Sequence, residues 1–137
     1  LSYPPYKDAG VDLRIGTDGA ASSGNGLNLL HEARLASLVQ RHDHWDSTLL
    51  PAKDIFGIAT KGSKDWVAWN LDDIRMRPLG RSNNRHLANL VYNGGDCLDV
   101  WVDGQALRLN GETKTVDERA TIKELDLAVS EYYDGVE

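Results

Sequence analysis

Asp18 stands in Gly16-Thr17-Asp18-Gly19, directly after a stretch in which Val11, Leu13 and Ile15 alternate with Asp12, Arg14 and Gly16. Alternation with period two reads as a short strand, so the pattern puts a carboxylate at the C-terminal end of a strand. In α/β barrels the loops at that end converge around a pocket, and catalytic groups sit there. A carboxylate so placed can bind a metal ion or accept a proton from an activated water. The flanking glycines let a substrate or metal approach the backbone closely. Asp before Gly is also common in plain turns, and that reading stands beside the chemical one.

Other groups carry weaker signals. His42-Asp43-His44, with Asp46 nearby, reads either as a separate metal site or as a solvated polar loop. A zinc site normally takes three or four protein ligands, which favours the loop. Ser22 and His31 lack the Gly-x-Ser-x-Gly elbow of a hydrolytic triad. Gly57 and Gly62 have the spacing of a phosphate loop, but Ser63-Lys64 follows them where Lys and then Ser or Thr are needed. Cys97 has no recognisable catalytic partner, and Asp72-Asp73 reads as a solvated turn. Trp66, Trp69 and Trp101 lie in strand-like runs and read as core, not as base-stacking platforms.

The elements that must position Asp18 follow from the pattern. The polar run from Gly16 to Gly26 holds four glycines in eleven residues and reads as a loop. A helix follows from Leu27 to Arg41, with Leu27, Leu30, Ala33, Leu35 and Leu38 on a broad apolar side and Asn25 or Asn28 as its cap. His42 to Leu49 reads as a loop. Pro51 suits the first turn of a second helix that stops at Gly62. After Gly62 to Asp65 the pattern turns β-rich. Trp66 to Leu71 reads as a buried strand, Asp72 to Asn84 as irregular, and His86 to Tyr92 as a short strand. Leu98–Val102 and Ala106–Leu109 flank Asp103-Gly104, a strong hairpin signal, and Asn110-Gly111 supplies a second tight turn. A last helix starts near Asp117, with Ile122, Leu125, Val129 and Tyr132 on one face.

Length bounds the architecture. The chain has 137 residues, enough for one core, whereas a complete eight-stranded α/β barrel needs about 250. A formal net charge of −6 disfavours nucleic acid and anionic membrane surfaces as partners. The single cysteine, Cys97, excludes an intramolecular disulfide and fits a reducing cytoplasm. No apolar stretch reaches the roughly 20 residues of a membrane-spanning helix. The start, Leu1-Ser2-Tyr3-Pro4-Pro5, lacks both a signal-peptide pattern and an initiator methionine, which leads one to expect that it begins inside something longer.

One family carries the pattern as a whole. Leu13-Arg14-Ile15-Gly16-Thr17-Asp18-Gly19-Ala20-Ala21-Ser22-Ser23, then Asn28-Leu29, then Glu32-Ala33-Arg34-Leu35-Ala36-Ser37-Leu38-Val39-Gln40 resembles the eighth strand and helix of one branch of the amidohydrolase superfamily. That branch holds the chlorohydrolases and the methylthioadenosine and adenosylhomocysteine deaminases. Ile58-Ala59-Thr60 resembles the next helix. Asp65 to Asp72 and Met76 to Leu79 resemble the return into a small β-domain. Asp99-Val100-Trp101-Val102-Asp103-Gly104 and Asn110-Gly111 resemble the closing hairpin.

The resemblance implies an α/β chain. Residues 1–62 would be the last strand and helices of a TIM-like barrel, residues 63–116 part of a small β-sandwich domain, and residues 117–137 a C-terminal helix. It implies a hydrolase that deaminates or dechlorinates a small heterocycle or nucleoside-like molecule with a divalent metal, usually zinc, which makes hydroxide available near neutral pH. Asp18 matches the family's last metal ligand and proton shuttle, and Ser22 matches a loop serine that contacts substrate. A small-molecule substrate, with no nucleic acid or membrane partner, and a cytoplasmic location go with this reading.

Three departures qualify it. The family's His-x-His pair, two later histidines and a proton-transferring glutamate would all lie N-terminal to Leu1. The family has roughly twenty more residues where Gly62-Ser63-Lys64 joins a helix to a strand directly, by comparison with ordinary connection lengths. Arg14 shares parity with Asp18 and would face a barrel interior where relatives carry a small residue; Asp12 has the parity to pair with it. These departures support an alternative, a truncated non-catalytic relative that serves as a folding or interaction module. A barrel piece on its own would expose an apolar side and self-associate into a homo-oligomer.

Overall fold

The computed structural model describes residues 2–19, 26–80 and 83–135. They form two compact units. Residues 1–63 and 70–95 make the first, and residues 64–69 and 96–137 the second.

The first unit is helical. Helix α1 spans Tyr3–Asp8, α2 Leu29–His44, α3 Ala52–Thr60 and α4 Asn83–Asn93, with a 3₁₀ turn at Ile74–Met76. Asn28 caps α2: its Oδ1 accepts from the backbone N–H groups of Leu30 at 3.0 Å and His31 at 3.2 Å. The core joins Tyr3, Ala33, Leu50, Ala52, Ile55 and Val91, with Leu13 and Ile15 packed against it.

The face that α2 buries differs from the expected one. Ala33, Ser37 and Gln40 are buried, whereas Leu35 and Leu38 are exposed. Hydrogen bonds explain why two polar residues go inside. The Ser37 hydroxyl donates to the Leu50 carbonyl at 2.8 Å and lies 2.9 Å from the Tyr92 hydroxyl. Gln40 Oε1 accepts the Tyr3 backbone N–H at 2.6 Å.

Two local expectations need correction. Residues 86–92 are helix α4, not a strand. Leu90 and Val91 are buried, and Ala88 and Tyr92 lean on the core, which is helical spacing. Asn89 Nδ2 donates to the carbonyls of Met76 at 2.6 Å and Pro78 at 3.2 Å, fixing the helix against the 3₁₀ turn. His42 and His44 lie in the last turn of α2, not in a loop, and the helix ends at Trp45 in the left-handed conformation. Cationic or polar side chains suit that end of a helix.

The second unit is a four-stranded antiparallel sheet of order β1-β2-β3-β4, with β1 Trp66–Trp69, β2 Cys97–Val102, β3 Gln105–Leu109 and β4 Glu112–Thr113. Both tight turns form as expected. Asp103 and Gly104 have φ of 49° and 78°, and Asn110 and Gly111 have 51° and 80°. Two consecutive left-handed residues are what two-residue hairpins of this twist require. Trp66 sits opposite Trp101 in register, and the rings stack at 5.2 Å. Helix α5, Glu118–Asp134, is capped by Asp117, whose Oδ1 accepts the Ala120 N–H at 3.0 Å. Its first residue accepts hydrogen bonds from Arg108 and Thr113, and no residue of the helix is buried. No helix among the described residues is long and apolar enough to cross a membrane.

Candidate active-site segment

Residues 11–19 carry no regular secondary structure and rest on the helical unit through Leu13 and Ile15. Side-chain exposure alternates: Asp12, Arg14, Gly16 and Asp18 are exposed, while Leu13, Ile15 and Thr17 are half-buried. The period-two pattern therefore survives as a real two-faced segment, with Leu13 and Ile15 as its anchor. Among the described residues it joins no strand ladder, since the sheet lies wholly in the other unit.

Asp18 ends this segment in the left-handed region, at φ 56°. Asp and Asn enter that region more readily than other side chains do. Its Oδ1 accepts the Gly19 backbone N–H at 2.7 Å, and the Thr17 hydroxyl donates to its carbonyl at 3.2 Å. The carboxylate is thus turned locally and exposed, a placement that serves a substrate pocket and a plain turn equally well. Ser22 lies outside the described residues, so its place beside Asp18 rests on the resemblance alone.

Arg14 and Asp12 do pair, at 3.2 Å, and sequence gave no sign of the third member. Lys61, at the end of α3, bonds Asp12 through its ammonium group and accepts Arg14 through its backbone carbonyl. Gly62 has φ 78°, which favours glycine, and a Cβ there would stand 3.2 Å from Arg14 Nη1, a contact that a small shift of the guanidinium would relieve. The cluster ties the segment to a helix end 47 residues away along the chain.

Hydrogen bonds from Lys61 first and Arg14 second hold the Asp12 carboxyl below the usual carboxylate range. The sign follows from linkage. A depressed folded value makes the cluster's contribution fully present above the unfolded value near pH 4, and it is lost as pH falls through the folded value. Urea midpoints of the native chain and Asp12→Asn should differ by a constant amount above the unfolded value and draw together as pH falls through the depressed folded value. A gap that persists at the acid end would mean that the carboxylate charge is not what ties the segment down.

The remaining candidates do not assemble. His44 Nε2 lies 2.9 Å from Ser2 Oγ, and the His42 ring sits 6.1 Å from the Trp45 ring. Asp46 turns the other way, accepting from Thr48 N–H at 2.8 Å, and Thr48 holds its carboxyl low. Among the described residues no three His, Cys, Asp or Glu come together as a metal site. His31 is exposed in the first turn of α2. Burial pushes the Cys97 thiol up, away from a nucleophilic thiolate. Asp73 caps the 3₁₀ turn and Asp72 pairs with Arg77, so they act as turn residues.

No family model matches the chain. The 5-methylthioadenosine/S-adenosylhomocysteine deaminase of Bacillus cytotoxicus is 33% identical over 133 residues, covering 85% of this chain and 30% of the relative. The enzyme of the same name from Bacillus cereus is 35% identical with the same coverage. These likenesses support the resemblance to the C-terminal part of the amidohydrolase superfamily. A crystal structure of an adenosine deaminase from Xanthomonas campestris with bound zinc superposes with a TM-score of 0.73 at 28% identity, over 86% of this chain and 30% of that one. An amidohydrolase from a Sargasso Sea sample, 21% identical, shares the fold with a TM-score of 0.69 over 99% of this chain.

The amidohydrolase-like chain spans 30% of the length of these curated relatives. An alignment of 133 positions that takes in only 85% of 137 residues leaves the relative with positions that have no counterpart here.

Proposed function

We propose that this chain is the C-terminal portion of a hydrolytic deaminase for a small heterocyclic or nucleoside-like substrate, with Asp18 as its catalytic carboxylate and Ser22 as a substrate contact. Residues 1–62 would serve as the last strand and helices of the barrel, and residues 63–116 as part of the small β-domain, with residues 70–95 of that stretch clustering with the helical unit. The observation that supports this most is Asp18 itself. It ends a two-faced segment anchored by Leu13 and Ile15, in a chain whose curated relatives are deaminases.

The chemistry asked of Asp18 is proton transfer. Hydrolytic deamination exchanges an exocyclic amine for oxygen. Water adds to the electron-poor ring carbon and loses a proton, and ammonia leaves carrying one more proton than the amine had. A carboxylate beside the reacting carbon can take the first proton and return it to the departing nitrogen. A substrate with chloride in place of the amine would need only the first transfer.

The resemblance implies a divalent metal, and one solved neighbour holds zinc. The described residues do not make such a site by themselves. Asp18 is one carboxylate, and three or four protein ligands are the norm. A second reading, a non-catalytic module, keeps the same fold without the chemistry.

Metal analysis and ammonia release separate the two. The purified 137-residue chain, given adenosine-type nucleosides and zinc, should hold far less than one zinc per chain and release no ammonia. A longer polypeptide carrying this segment behind a His-x-His strand should hold zinc and release ammonia. If that longer polypeptide binds zinc but leaves every tested amine intact, the deaminase reading fails and the module reading stands.

A further inference from the structure

One helix holds the Asp18 segment by both of its sides. On the inner side, Leu13 and Ile15 rest on the core that contains Ile55, and with Ile58 they line an apolar cavity of about 240 Å³. On the outer side, Asp12 and Arg14 reach Lys61, which ends the same helix, α3. Arg14 makes two of the bonds there. Its Nη1 donates to the Lys61 carbonyl, and its Nη2 donates to Asp12 Oδ2 at 3.2 Å. The Lys61 ammonium closes the ring on Asp12 Oδ1. All of these groups belong to one compact unit.

The two sides hold the segment in different ways. Apolar packing is non-directional, so it sets how deep the segment lies and resists sliding or rolling weakly. Charge-assisted hydrogen bonds are directional, and the guanidinium presents its donors in a rigid planar fork. Arg14 and Asp18 share the exposed side of the segment. Between them Ile15 leans on the core, and Gly16 brings no side chain to hold the stretch. The orientation of Asp18 is then set by Ile15 from beneath and by Arg14 from outside.

We propose that Arg14 is a positioning residue for the Asp18 carboxylate, acting through the Lys61 carbonyl at the end of α3. It touches no reacting atom. Its effect falls on orientation more than on stability. Exposed ion pairs add little to stability, whereas displacing a reacting group by about 1 Å can cost on the order of 10²-fold in rate. The kinetic half of this inference rests on the deaminase reading; the structural half does not.

Two readouts test it. In the 137-residue chain, Arg14→Ala should move the amide resonance of Gly19, whose N–H Asp18 Oδ1 accepts at 2.7 Å, while the urea midpoint changes little. Arg14→Lys keeps a donor for the Lys61 carbonyl and should bring that resonance back towards its native position. In a longer polypeptide that turns over substrate, Arg14→Ala should lower kcat by about tenfold and leave KM within about twofold, and Arg14→Lys should recover part of the loss. A residue that only stabilised the fold would lower the urea midpoint and leave kcat per folded molecule unchanged. Should Arg14→Ala fail to fold by circular dichroism, Arg14→Met, of similar length but without a donor, takes its place with the same expected results. A native Gly19 resonance, or a native kcat, in a folded variant overturns the proposal. A displaced Gly19 resonance beside a native longer polypeptide that releases no ammonia would remove the deaminase reading and leave Arg14 as the residue that places Asp18.

Discussion

In a longer polypeptide that carries this segment and turns over substrate, Asp18→Asn should lower kcat by on the order of 10³-fold, the range expected for removing a general acid–base group. Asparagine is the informative change. Asp18 sits at φ 56°, where asparagine is tolerated, and an amide oxygen can still accept the Gly19 N–H that Oδ1 accepts now. The backbone turn is thus kept while the proton acceptor is lost. Asp18→Ala removes the same group and adds backbone strain of about 1 kcal/mol or more, because alanine at positive φ is disfavoured. The two variants should therefore match in kcat and differ in stability. Zinc content divides the two roles assigned to this carboxylate. A kcat loss with zinc retained points to proton transfer, and a loss of both points to ligation. Native turnover by Asp18→Asn would reduce Asp18 to a turn residue and remove the centre of the proposal.

The features legible in sequence were those governed by near neighbours. Asp103-Gly104 and Asn110-Gly111 announce their turns because left-handed backbone at two adjacent residues narrows the choice of side chain. Asp117 announces α5 because a side-chain cap needs only the next three residues. The alternation of Leu13 and Ile15 with Asp12 and Arg14 marks the inward side of the Asp18 segment for the same reason, whereas Val11, which shares their parity, is exposed. The helix over 83–93 was misread because its apolar run, Leu87 to Tyr92, is short enough to suit either period. What decides it is Asn89 reaching back to Met76 and Pro78, a contact between distant parts of the chain. Helix α1 did carry a signal, Pro4-Pro5 in its first turn.

The candidate site was less legible than the turns. Lys61 joins Asp12 and Arg14 from across the unit, and nothing around Lys61 marks it. The buried polar pair Ser37 and Gln40 broke the apolar reading of α2 because Leu50, Tyr92 and Tyr3 supply partners from elsewhere in the chain. Periodicity scores side chains by type, whereas burial is decided by whether a polar atom finds its partner. Asp18 stands out from its local setting, but its chemical meaning comes from the resemblance.

The placement of Asp18 depends on the helical core beneath Leu13 and Ile15, so Ile55→Ala should be strongly damaging. Ile55 is 2% exposed and lies among Leu50, Ala52, Ala33 and Val91, with Leu13 and Ile15 resting on the same cluster. Removing its outer carbons costs the transfer free energy of those groups plus the cavity they leave, about 3 kcal/mol. The adjacent apolar cavity makes collapse around the gap harder, because its walls already lack neighbours on one side. Against a total stability of about 5–15 kcal/mol for a domain, that is a large share. The urea midpoint of the helical unit should fall sharply while the slope of the transition stays the same. Leu125→Ala supplies the contrast. Leu125 is 62% exposed on α5, and its truncation should move stability by less than about 0.5 kcal/mol. Equal effects from the two variants would show that burial in the helical unit does not hold the Asp18 segment in place. A large loss confined to Ile55→Ala, with residues 11–15 gaining amide exchange in step, would tie the position of the carboxylate to this core.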